Sequence, residues 1–110
     1  MERWFTKGFR ERSPEAMEWM SKMFLATDVE GYVGCGMAVR DMDHRALLPK
    51  IKAPTLVIAG RHDPATPLEA NEYIKNQIPG AKLAVLDAAH MSNVEQRDGY
   101  TAAVLGFLRG

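Results

Sequence analysis

The sequence predicts an α/β fold, with helices first and then a strand–helix–strand–helix unit whose strands run parallel. Three observations predict it. "TLVIA" (55–59) and "AKLAVLD" (81–87) are nearly continuous apolar runs, the mark of strands covered on both faces. A helix with its own start and stop signals lies between them, and a crossover of that length implies parallel, right-handed pairing. Residues 1–52, by contrast, carry only helical spacing. The junction falls between Pro49 and Pro54, dividing the chain into a helical region, 1–52, and an α/β region, 53–110.

Each element has local support. Ser13-Pro14 places a hydroxyl N-cap before a proline whose missing N–H costs nothing at the first helical position. Behind it, Met17, Met20, Phe24 and Leu25 recur at helical spacing. Thr27 and Glu30 have capping-box spacing, so a second helix should begin near Asp28. It would run through "GYVGCGMAVRDM", where Gly31, Gly34 and Gly36 each cost about 1 kcal/mol relative to alanine. "HRALLPKI" reads as a short helix ended near Pro49. In the second region Thr66-Pro67-Leu68-Glu69 is the strongest helix start, and Leu68, Tyr73, Ile74 and Ile78 follow it up to Pro79-Gly80. Ser92 and Glu95 have capping-box spacing ahead of a last helix lined by Tyr100, Val104, Leu105 and Leu108.

Composition narrows the function classes. The 110 residues include 14 basic and 14 acidic side chains, for no net charge. Nine basic and eight acidic residues precede Ala53, with five and six after it, so neither region has the excess expected of nucleic-acid or anionic-membrane binding. No apolar run approaches the roughly 18–20 residues of a membrane span, and "MERWFTKGFRER" lacks a signal-peptide core. The single cysteine, Cys35, excludes an internal disulfide and fits a reducing compartment. A cytoplasmic protein is the expectation.

Asp63 follows the first strand and His90 the second. Parallel neighbours deliver their following loops to one edge, where α/β proteins gather functional groups. The two residues are 27 apart (90 − 63). A carboxylate beside a histidine can accept a ring N–H, fix the tautomer and stabilise the imidazolium formed during proton transfer. The bland alternative is a turn-forming aspartate and a structural histidine; spacing leaves both open.

"IKAPTLVIAGRHDPATP" followed by "LDAAHMSNVEQ" resembles the C-terminal part of an α/β-hydrolase, whose triad runs Ser, Asp or Glu, His along the chain. With "ERWFTKGFRER" and "EGYVGCGMAVRDMD", the chain resembles the 3-oxoadipate enol-lactonases of bacterial aromatic catabolism. The resemblance implies that Asp63 is the triad acid and His90 the base. It makes residues 1–52 a lid over the substrate pocket, with Trp4 and Phe5 lining it and Arg3 holding a carboxylate. It implies opening of an enol-lactone or related ester without metal or organic cofactor.

The departure from the family is the nucleophile. No G-x-S-x-G occurs, and none of the three serines, Ser13, Ser21 and Ser92, sits at a predicted strand-to-helix elbow. Cys35, in "GCG", lacks elbow spacing and reads as a small buried hydrophobe. "DMDH" (41–44) reads as a charged hinge rather than a metal site, and His62 as a loop residue. The expectation is therefore the back half of a hydrolase, inactive alone. Its exposed strand edge would call for an N-terminal hydrolase segment or a second copy of the chain. The competing expectations are a non-catalytic binding module built on the same fold, or a hydrolase of another ester or a haloalkane.

Overall fold

The computed structural model describes every residue from Met1 to Gly110. Its elements are α1 (Lys7–Arg12), α2 (Pro14–Leu25), α3 (Val29–Asp41), a 3-10 turn (Arg45–Lys50), β1 (Leu56–Gly60), α4 (Leu68–Gln77), β2 (Lys82–Leu86), α5 (Ser92–Glu95) and α6 (Arg97–Leu108). The 3-10 turn ends at Lys50 and the first strand begins at Leu56.

The strands pair in parallel, in register from Leu56 opposite Lys82 to Gly60 opposite Leu86. Pairing continues past the strand ends: Arg61 N–H donates to the Leu86 carbonyl at 2.8 Å and His62 N–H to that of Ala88 at 3.0 Å. The two following loops are therefore tied together. Gly60 permits their closeness, since a Cβ there would lie 2.1 Å from the Ala89 carbonyl oxygen. Helices α4 and α6 both pack on the strands. Coverage is uneven: only Ala59 and Gly60 of β1 are fully buried, and no residue of β2 is, so the expected two-sided burial is incomplete.

A second centre of packing lies at the amino end. Phe5 stacks on Phe9 with ring centroids 5.3 Å apart, and Met20 of α2 completes the cluster. Trp4, Met17, Met91 and Val94 pack around it, joining the helical region to the segment after β2. Beyond it, packing thins. Leu25, expected on the buried face of α2, is 80% exposed, and α3 buries none of its residues. Tyr32 of α3 meets Phe24 of α2 edge to face at 5.6 Å. Cys35 is exposed, contrary to the expected burial, because nothing covers its side of α3.

Several caps differ from expectation. Ser13 precedes α2 but makes no side-chain cap, with Pro14 instead supplying the pre-set first position. Asp28, not Thr27, caps α3 by accepting from Gly31 N–H at 2.7 Å, while the Thr27 hydroxyl donates back to the Met23 carbonyl. Gly31, Gly34 and Gly36 stay within the continuous α3 helix. Pro49 lies inside the 3-10 turn. Gly80, at φ +72°, provides the left-handed residue between α4 and β2. No helix is long and apolar enough to cross a membrane.

Candidate active site

The loop after β1 folds back on its own carboxylate. Asp63 N–H donates to the Gly60 carbonyl at 3.2 Å, and Pro64, with no N–H, sets the next turn. Asp63 Oδ1 then accepts from the N–H groups of Ala65 at 2.8 Å and Thr66 at 3.0 Å. Its Oδ2 accepts the Thr66 hydroxyl at 2.5 Å. Thr66 was expected to cap α4, but the helix begins only at Leu68 and has no side-chain cap.

His90, in the loop after β2, brings Nδ1 to 2.7 Å from Asp63 Oδ2. The carboxylate side chain is 4% exposed and the imidazole 39%, so a buried anion anchors a ring that reaches solvent. Burial alone pushes the Asp63 carboxyl up. The Thr66 hydroxyl and N–H, His90 and the Ala65 N–H outweigh it and hold the group below the ordinary carboxylate range. Asp63 is thus an anion at neutral pH, and His90 keeps Nε2 on the ring edge away from the carboxylate. None of the three serine hydroxyls is hydrogen-bonded to this ring. The Thr66 hydroxyl lies 3.5 Å from Nδ1 and donates its hydrogen bond to Asp63 Oδ2. Ser92 is buried inside α5.

Glu95 fixes the loop from the other side. Its expected capping-box role is replaced by a longer reach: Oε2 accepts Ala89 N–H at 3.0 Å and Thr6 N–H at 3.2 Å, and Oε1 accepts the Thr6 hydroxyl. Met91 N–H donates to the Trp4 carbonyl at 2.9 Å. The residues flanking His90 are therefore bound to the amino-terminal segment. Glu95→Ala should cost about 3 kcal/mol, since it strands buried N–H groups that faced a charged acceptor; the shift in denaturant midpoint measures it.

The other candidate residues divide clearly. Trp4 stands edge-on to Phe24, with centroids 5.3 Å apart, and lines a groove of about 200 Å3 with Met20, Met23, Thr27 and Met91, the residue that follows His90 in the chain. Phe5, 1% exposed, belongs to the core cluster against which Trp4 packs. Arg3 is exposed. A second groove, of about 340 Å3, is floored by Phe5 and Ala89 and rimmed by Lys7, Arg10 and His62. His62 Nε2 meets Asp87 Oδ1 at 2.6 Å, a bridge between the two loops. In the 41–44 stretch, Asp41 is paired with Arg40 at 2.7 Å and Asp43 with Arg45 at 2.6 Å. No group of three or more His, Cys, Asp or Glu is placed to hold a metal.

The chain that presents this buried aspartate and half-exposed histidine from successive parallel strands matches the alpha/beta hydrolase fold over residues 3–96. This chain belongs to the α/β-hydrolase family. Among α/β-hydrolases it is 42% identical over 102 residues, 93% of its length, to 3-oxoadipate enol-lactonase 2 of Acinetobacter baylyi. The enol-lactonase of Burkholderia xenovorans LB400 superposes with a TM-score of 0.96 at 39% identity, over 98% of this chain. An esterase from Exiguobacterium antarcticum gives 0.89 at 25% identity over 99% of it. The chain spans 38% of the Acinetobacter protein, 42% of the Burkholderia one and 40% of the esterase, so it corresponds to under half of each.

Proposed function

We propose that this α/β-hydrolase chain supplies the acid and base of an enol-lactone hydrolase, Asp63 and His90, and acts together with a serine-bearing N-terminal portion of the fold. The observation that supports the reading is the 2.7 Å bond from His90 Nδ1 to the buried Asp63 carboxylate, which leaves Nε2 turned from the anion. In that role Nε2 takes the proton of the attacking hydroxyl and returns it to the leaving oxygen. The imidazolium formed between these steps is stabilised by Asp63, which stays ionised. The similarity to enol-lactonases favours a lactone carrying a carboxylate.

Residues 1–52 act as the lid. Trp4 walls the apolar groove that it shares with Met91, the residue after His90; Phe5 braces it from the core, and Arg3 meets the substrate carboxylate from solvent. The chemistry needs no metal or organic cofactor from these residues. The exposed apolar side chains of α2 and α3, with the free edge of the two-stranded sheet, take the N-terminal portion or, without it, a second copy of the chain.

Mixing this chain with the serine-bearing portion of an enol-lactonase tests the reading. Lactone or aryl-ester hydrolysis should appear, and His90→Ala should remove it. If a stable, native-like complex forms without hydrolysis, the chain is instead a binding module. Preference for an unrelated ester or a haloalkane would change the substrate but keep the machinery. By size-exclusion chromatography the isolated chain should run as a dimer or aggregate; a monodisperse monomer that unfolds cooperatively would contradict the need for a partner.

A further inference from the structure

A carboxylate offers about four acceptor directions, two on each oxygen. On Asp63 they are filled by the Ala65 and Thr66 N–H groups at Oδ1 and by the Thr66 hydroxyl and His90 Nδ1 at Oδ2. An ionised carboxylate only accepts, so all four partners donate. The Thr66 proton is therefore committed to Oδ2. Toward His90 Nδ1, 3.5 Å away, its oxygen presents only lone pairs. Both groups facing Nδ1 are acceptors, and that nitrogen must carry a hydrogen.

Thr66 also touches both carboxylate oxygens, with its N–H on Oδ1 at 3.0 Å and its hydroxyl on Oδ2 at 2.5 Å. This two-point grip fixes the rotation of the carboxylate plane, which the backbone bonds to Oδ1 alone would leave free about the terminal torsion. We propose that Thr66 is a positioning residue whose hydroxyl clamps Asp63 Oδ2 against the ring and pins neutral His90 as the Nδ1–H tautomer, with Nε2 as the basic nitrogen. Two neighbouring ionisable groups are engaged elsewhere: His62 with Asp87, and Glu95 of α5 with Ala89 and Thr6. The inference deepens the hydrolase reading, on which the use of Nε2 as a base rests, but the tautomer can be read without any hydrolysis.

The test is a long-range proton–nitrogen correlation spectrum of the His90 ring at about pH 8.5, above the usual imidazole range. Spectra are taken on the chain alone and again with the serine-bearing portion. The wild-type ring should show a proton on Nδ1 only. Thr66→Val, close in shape and retaining the amide bond to Oδ1, should add an Nε2–H population, and Thr66→Ser should remove it again. Thr66→Ala serves if the valine variant does not fold. In the reconstituted enzyme Thr66→Val should lower kcat about tenfold with KM unchanged, the equivalent of one hydrogen bond in the transition state.

An Nε2–H wild-type ring, or a folded valine or alanine variant with the wild-type pattern, overturns the clamp. Absent hydrolysis alongside the expected Nδ1–H pattern and its loss in Thr66→Val would sink the hydrolase reading alone.

Discussion

Asp63→Asn is expected to lower reconstituted ester hydrolysis by about 10⁴-fold in kcat, with KM little changed, the size of loss seen when a triad acid becomes an amide. The reason lies in the donor count. Asp63 receives two donors on each oxygen, and an asparagine can meet only one pair of them with its carbonyl. Its NH2 must face either the Ala65 and Thr66 amides or the Thr66 hydroxyl and His90. The first orientation sets N–H against N–H. The second requires the ring to turn an unprotonated Nδ1 toward the amide, which moves its hydrogen to Nε2 and removes the base. A loss below tenfold in a folded variant would show that Asp63 does not hold His90 as the base.

The same substitution should change the acid stability of the chain. The folded-state pKa of Asp63 is lowered because hydrogen bonds outweigh burial, which alone would raise it. The folded chain thus binds this proton less readily than the unfolded one. Its contribution is fully present above the ordinary carboxylate pKa and lost as pH falls through the lowered folded value. Chemical denaturation between about pH 6 and about pH 3 should show the stability gap between wild type and Asp63→Asn closing in acid. A gap that stays constant would mean the carboxylate is not held in this way.

Gly60→Ala should be the most damaging single change to the fold, costing about 3 kcal/mol or more through overpacking against atoms that cannot step aside. The new Cβ would lie 2.1 Å from the Ala89 carbonyl oxygen and 2.7 Å from that of Ala88. Both obstacles are main chain, and the Ala88 carbonyl already accepts the His62 N–H. Relief requires the loop after β2 to lift away, separating His90 from Asp63. Hydrolysis and the unfolding midpoint should therefore fall together. Gly34→Ala is the control. A Cβ at that helical position meets nothing within 4 Å, so it should stabilise α3 by about 1 kcal/mol. Equal effects at the two glycines would discredit the crossing at Gly60.

The α/β region was legible because its signals are local and agree: apolar runs for β1 and β2, a proline-marked start for α4, and Pro79-Gly80 after it. From these, parallel pairing follows, and with it the meeting of Asp63 and His90. Thr66 was misread because the hydroxyl residues that favour helix caps also close turns onto an aspartate, and sequence does not say which acceptor wins. The signal available was the run of N–H donors just after Asp63, which a carboxylate can gather. Glu95 was misread for a different reason. Its partner Thr6 is 89 residues away, and no local spacing reports such a contact. Helix α1, six residues long, shows too little periodicity to be separated from its surroundings. Cys35 looked like a buried residue because small apolar side chains usually are; its exposure depends on what packs against α3, and its own neighbours in sequence do not encode that.

The bond from Met91 N–H to the Trp4 carbonyl makes one backbone proton a gauge of the amino-terminal segment. When that segment swings outward, this proton trades for deuterium, while the amide of Arg61, bonded across to Leu86, keeps its own. Comparing the two exchange rates separates movement over the pocket from fraying of the sheet beneath it, and does so one residue away from the imidazole.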